Sequence, residues 1–191
     1  MLIFLFFLMN FHMPLAENKM EIEIIPFELI ETSVLDYLKM NLAEVFNARV
    51  SVGEAQLVPE YAYNKKRGQY FSSVILQNLL KIKDDRQKKI LAIIDRDLYV
   101  PQLNFVFGEA DPSHGVCIIS LTRLHQSYYG LSEDRDLFLK RSLKEAVHEI
   151  GHLVHLGHCP LPSCVMHFSN SLLDTDRKDY HFCSDCRKRI S

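Results

Sequence analysis

The sequence predicts an α+β protein whose upper part is α/β-like: a mixed sheet with helices packed on it, followed by a small irregular and helical C-terminal part. Three observations predict it. Short apolar segments alternate with segments of helical period up to residue 120. A long amphipathic stretch follows from Ser132 to Gly157. The remainder is rich in Cys and Pro, with room only for short helices. At 191 residues the chain suits one domain with two lobes, here expected at 20–157 (upper) and 158–191 (lower).

The elements follow in order. Glu21 to Ile25 alternates as a strand that Pro26 should end. Thr32 or Ser33 can cap a helix whose Leu35, Leu38, Leu42, Val45 and Phe46 share a stripe. Arg49 to Leu57 reads as a second strand and 59–68 as a loop. Phe71 to Lys81 carries Phe71, Val74, Ile75 and Leu79 at helical spacing. Ile90 to Ile94 is a continuous apolar run, the signature of a central strand. Asn104–Phe107 and Val116–Ser120 are further short strands, with Cys117 a core thiol. Ser132, with Glu133 and Asp134 behind it, should open the long helix, packed through Leu139, Leu143, Val147, Ile150 and Val154. Short helices are expected near Leu172 and from Cys183.

Composition excludes several classes. The chain is 48% hydrophobic, enough for a sizeable core, and its net charge of −2 gives no reason to expect nucleic acid as a partner. No repeat is visible. The apolar run Leu2–Met9 is too short to span a bilayer, so no membrane association is expected. Residues 1–19 fit a start-site artefact, a signal-like segment without a basic n-region, or a genuine extension; a domain start at Met20 suits the first strand. Asp95, Arg96 and Asp97 read as a solvated turn, and His114, His125, His167 and His181 have no paired spacing.

The chemistry concentrates in His148-Glu149-Ile150-Gly151-His152. Residues four apart lie on one helix face, so His148 and His152 can share a zinc ion. Glu149 between them is placed to work on a zinc-bound water. A third nitrogen from His158, supplied if the helix stops and the chain turns back, would leave one position open, as a catalytic zinc requires. The rival third ligand is His155, on the same face at i+7. It lies about 10.5 Å along the axis from His148 at 1.5 Å per residue, a poor match to one ion. Cys159, Cys164, Cys183 and Cys186 form CxxxxC and CxxC pairs, a spacing that closes a structural zinc site and implies a reducing, cytoplasmic compartment. Two disulfides in a secreted protein are the alternative.

His148 to Cys186 resembles the archaemetzincins, a family of metzincin metallopeptidases with the pattern HExxHxxGxxHC, four residues, CxM, then CxxC. Here it reads HEIGHLVHLGHC, PLPS, CVM and Cys183-Ser184-Asp185-Cys186. Looser resemblance runs through Asp97–Pro101, Asn104–Gly108 and Ser120–Leu124. The resemblance implies an upper subdomain with a twisted sheet, a backing helix and an active-site helix, and a lower one with the third His, a Met-turn at Met166 and a C-terminal helix. It implies two zinc ions, one catalytic on His148, His152 and His158, one structural on the four Cys. Glu149 would be the general base in peptide-bond hydrolysis. An edge strand over the cleft, Asn104–Gly108 or Val116–Ser120, would pair with extended substrate. A peptide or protein substrate and a monomeric enzyme are expected. His155 stands where the family has Gly, at the end of the active-site helix, so a left-handed, strained turn is expected there, with Gly157 sharing it. That departure motivates the alternatives: a two-zinc peptide-binding protein with little or no peptidase activity, or a purely structural two-zinc domain.

Overall fold

The computed structural model describes residues 19–190. The expectations for the N-terminal apolar segment fall on 1–18, outside the described residues. The elements are β1 (Glu21–Phe27), α1 (Thr32–Phe46), β2 (Arg49–Val52), β3 (Tyr63–Asn64), β4 (Gln69–Phe71), α2 (Ser72–Leu79), β5 (Lys89–Ile94), β6 (Leu98–Tyr99), β7 (Gly108–Asp111), β8 (Val116–Ser120), α3 (Arg135–Leu153), α4 (Leu172–Arg177) and α5 (Ser184–Arg189).

The main sheet has the order β2-β1-β5-β8-β7. Its first four strands are parallel and β7 lies antiparallel on the edge. A small second sheet, β3-β4-β6, adjoins it. Strand alternation sends Ile22, Ile24, Leu91, Ile93, Cys117 and Ile119 to one face, under α1 and α3. Ile25, Phe27, Ile90, Ala92, Ile94, Val116 and Ile118 go to the other, under α2. Burial on both faces is why β5 and β8 read as unbroken apolar runs.

Several boundaries differ from the sequence expectations, for physical reasons. β1 runs through Pro26. The Pro26 carbonyl, on the side of β2, already accepts from Gln56 N because β2 stops at Val52, so the missing N–H costs no ladder bond. Neither Thr32 nor Ser33 caps α1; Glu31 occupies that position without a side-chain bond. Asp134, not Ser132, caps α3, its carboxylate accepting from Leu137 N at 3.0 Å. Phe138, stacked on His125, takes the core position expected of Leu139, which is half-buried like Val154. The loop at 59–68 contains a 3-10 turn and β3, and β4 and β6 were not foreseen.

The largest correction concerns the edge strand. It forms at Gly108–Asp111, which meets the expected Asn104–Gly108 only at Gly108. The carbonyls of Leu103 and Asn104 are taken by the Arg67 guanidinium, so the start of that stretch joins no ladder, and Val106 pairs only with Leu98. Val116–Ser120 lies between β5 and β7 and has no free edge.

Candidate metal centres and the cleft between them

The polypeptide makes a sharp turn where α3 ends. Leu156 N donates to Gly151 O at 3.0 Å and His155 N to His152 O at 2.9 Å, the paired bonds of a Schellman cap. The residue between helix and turn must be left-handed, and His155 is, at φ 64°. Gly157 is not in the left-handed region and does not share the turn. His155 is exposed and is not one of the clustered metal-capable side chains, whereas the turn returns His158 to them.

His148, His152 and His158 each offer a ring nitrogen within 4.8 Å of the others. His148 Nδ1 donates to Val165 O and His152 Nδ1 to Leu156 O, both at 2.8 Å. A carbonyl can only accept, so each Nδ1 carries the proton and each Nε2 presents a lone pair. Those two Nε2 atoms face one another at 3.1 Å. Burial lowers the basicity of all three imidazoles, most of all His148, which keeps them neutral and ready to ligate. His158 is held differently, by ring contacts to His148, His152 and Phe168.

Glu149 lines the same cleft, 5% exposed. Burial raises its pKa well above the ordinary carboxylate range, and Glu145 and Glu109 add to the effect. The edge strand comes so close that a Cβ on Gly108 would stand 2.6 Å from Glu149 Cγ and Oε1. Gly151 serves the opposite face of α3: a Cβ there would collide with Met166 Sδ. Met166, fully buried, is thus an apolar pad beneath the helix turn that carries both histidines. The cleft has a volume of ≈ 470 Å³. Its rim runs from Leu103 to Ala110 and its opposite wall from Phe168 to Asn170.

Cys159, Cys164, Cys183 and Cys186 also bring their sulfurs within 4.8 Å of one another, and all four are free thiols. The Sγ atoms of Cys159 and Cys183 are 3.9 Å apart, and Cys183 N donates to Cys164 Sγ at 3.4 Å. The Cys186 N–H lowers the Cys183 thiol to about 7, while burial pushes Cys159 and Cys186 up. This cluster sits against the core, with Cys164 and Cys186 buried. Cys117 is fully buried in β8 and belongs to neither group.

Two features escaped the sequence reading. The first is a polar layer joining α3 to α4. Arg141 pairs with both Asp176 oxygens at 2.7 Å, Lys144 donates to Thr175 O and Asp176 O, and Thr175 Oγ1 donates to Glu145 at 3.0 Å. The buried Lys178 ammonium lies 3.0 Å from Glu145 Oε1, outside hydrogen-bond geometry. Charged residues at helix positions shared with His148 and Glu149 were the available signal. The second is Asp97. It is not a solvated turn residue but the bidentate partner of Arg123, at 2.7 and 2.8 Å.

The model of peptidase family M54 matches residues 18–191. The chain belongs to that family. It is a metallopeptidase of archaemetzincin type. The archaemetzincin of Methanocaldococcus jannaschii is 41% identical over 171 residues, covering 90% of this chain and 93% of that one. Among solved structures, an archaemetzincin from Methanopyrus kandleri is similar with TM-score 0.80 and 35% identity, over 93% of this chain and 97% of that one. A zinc-dependent peptidase from Methanocorpusculum labreanum is similar with TM-score 0.82 and 31% identity, over 89% of this chain and all of that one. The mixed α/β architecture expected from the sequence is therefore that of the archaemetzincin structures. Among the described residues no helix is long and apolar enough to cross a membrane.

Proposed function

We propose that this metallopeptidase hydrolyses peptide bonds with a catalytic zinc on His148, His152 and His158 and Glu149 as the proton-transferring group, and that Cys159, Cys164, Cys183 and Cys186 hold a second, structural zinc. The observation that carries the catalytic site is the pair of Nε2 lone pairs facing each other at 3.1 Å. Two acceptors at that distance repel unless a cation lies between them. Zn–N bonds of about 2.0–2.1 Å at a tetrahedral angle put two nitrogens roughly 3.3 Å apart. For the sulfurs, Zn–S bonds of about 2.3 Å imply roughly 3.8 Å, against the 3.9 Å found.

Zinc so held would supply Lewis-acid polarisation of the scissile carbonyl and acidify water at neutral pH. The chain's own residues do the rest. Glu149 Oε takes the proton from water and releases it to the leaving amine, a role its place in the cleft beside His148 suits. The Val165 and Leu156 carbonyls hold the His148 and His152 rings in the tautomer that leaves Nε2 for metal. β7 supplies the substrate edge. Ser120 N donates to Phe107 O, so by the alternation of an antiparallel ladder Gly108 and Ala110 turn their N–H and C=O outward. An extended peptide can pair with them beside Glu149.

The reading with little or no activity was motivated by His155 displacing the turn. With His158 beside the other two histidines, that motive is removed. Four thiolates fit a reducing compartment, and a cytoplasmic monomer is the accompanying proposal. The test is turnover of a peptide library by wild type and Glu149→Ala, with metal content measured on both. Hydrolysis by wild type only, with zinc equal in the two, is expected, and the loss should reach about 10²–10⁴-fold. Equal turnover in the two proteins would refute the role of Glu149.

A further inference from the structure

The three looser motifs upstream of the histidines converge in space. Arg123 grips Asp97 with Nε and Nη2, at 2.7 and 2.8 Å. Asp97 Oδ2 also accepts from Gln69 Nε2 at 3.0 Å, and the same amide donates to Asn104 O at 2.9 Å. Arg67 donates to Leu103 O and Asn104 O, both at 2.8 Å, and braces Gln69 Oε1 at 2.8 Å. The Arg123 guanidinium lies 4.2 Å from the centre of the Phe105 ring, with Tyr128 at 4.9 Å. Phe105 packs edge-on against Phe107 at 5.1 Å, and Phe107 leads directly into β7.

Besides the Tyr99 and Tyr128 rings, what this cluster holds is Leu103, Asn104 and Phe105, which belong to the strip from Leu103 to Phe107 on the rim of the cleft. Arg67, Gln69, Asp97 and Arg123 do not line the cleft themselves. The strip has little ladder of its own, a single bridge from Val106 to Leu98. The Leu103 and Asn104 carbonyls are satisfied by side chains instead. Side-chain bonds to a charged guanidinium are stronger than neutral ones and set direction as well as distance.

We propose that Arg123, fixed by Asp97, is a positioning residue that with Arg67 and Gln69 sets the height of the cleft rim, and that peptides long enough to pair along β7 depend on it while short ones do not. The inference rests on the peptidase reading for its substrate, and on geometry alone for the rim. Arg, not Lys, is needed at 123, because the planar fork meets both Asp97 oxygens while its face covers Phe105.

The test uses the zinc-loaded full chain as wild type, Arg123→Ala, Arg123→Lys and Arg67→Ala. Amide hydrogen exchange is followed across 103–111 and across α3. Each variant should exchange about tenfold faster in the rim, with α3 and zinc content unchanged. A short and a long peptide sharing one cleavage point are then compared. KM should rise for the long peptide, with kcat held, and stay constant for the short one. Rim exchange identical to wild type in all three variants would overturn the proposal. So would equal losses for both peptide lengths. If wild type cleaves neither peptide, the peptidase reading fails, and the exchange data alone decide whether Arg123 sets the rim.

Discussion

The histidine cluster and the cysteine cluster lie a few residues apart in sequence, with His158 and Cys159 adjacent, yet they differ in what surrounds them. The histidines have a cleft on one side, with Glu149 in it and an edge strand above. The cysteines sit against the core: two are buried, two are partly buried, and Phe182, packed edge-on against Phe46, belongs to the same core cluster. Three neutral ligands with an open direction suit Lewis-acid chemistry; four thiolates leave no position for a reactant. On the proposed reading the missing fourth ligand decides function, and the chain passes from one cluster to the other between His158 and Cys159, just after the turn at His155.

That comparison can be broken first at the cysteines. If the four cysteines hold the proposed structural zinc, Cys186→Ser should remove it and unfold the lower lobe, because binding free energy at such sites, on the order of 10 kcal/mol, is folding free energy. The check is zinc per chain with thermal unfolding; an unchanged Tm would mean the four sulfurs hold no metal that matters to the fold.

A smaller effect is expected where the two regions press together. Gly151→Ala would drive a methyl into Met166, and overpacking a filled core costs about 1–3 kcal/mol. Because Met166 underlies the helix turn bearing both histidines, zinc affinity of the histidine site should fall with stability. Zinc titration of the variant decides this, and affinity equal to wild type would remove Met166 from any part in the site.

The smallest effect belongs to the turn. A left-handed non-Gly residue costs about 1–2 kcal/mol, and His155→Gly relieves it, although the freer unfolded chain takes back about 0.5–1 kcal/mol. The expected gain is at most about 1.5 kcal/mol by denaturant titration, with zinc affinity equal or better. Loss of the histidine-site zinc in this variant would make His155 a ligand.

The sequence exposed much of this because the chemistry is local. Helix spacing alone brings His148, Glu149 and His152 together, and the apolar runs of β5 and β8 are what burial on both faces demands. His155 and its left-handed φ were legible from a Gly-requiring position held by another residue. What stayed hidden is long-range. Nothing near Asn104 announces that Arg67 will take its carbonyl, so the edge strand was placed four residues early. Asp97 looked solvated because its partner, Arg123, is 26 residues away. Lys178 and Glu145, separated by most of the lower lobe, gave no periodic signal of a buried pair. Within the site, Gly108 and Gly151 read as ordinary glycines until Glu149 and Met166 were seen against them.

The central claim is that one chain holds two independent zinc sites, one open and one closed. It is tested most directly by elemental analysis of purified wild type and His148→Ala, each with its thermal unfolding curve. Two zinc ions are expected in wild type, one in the variant, and a lower lobe that stays folded in both. Loss of both ions in His148→Ala, or a single ion in wild type, would contradict it.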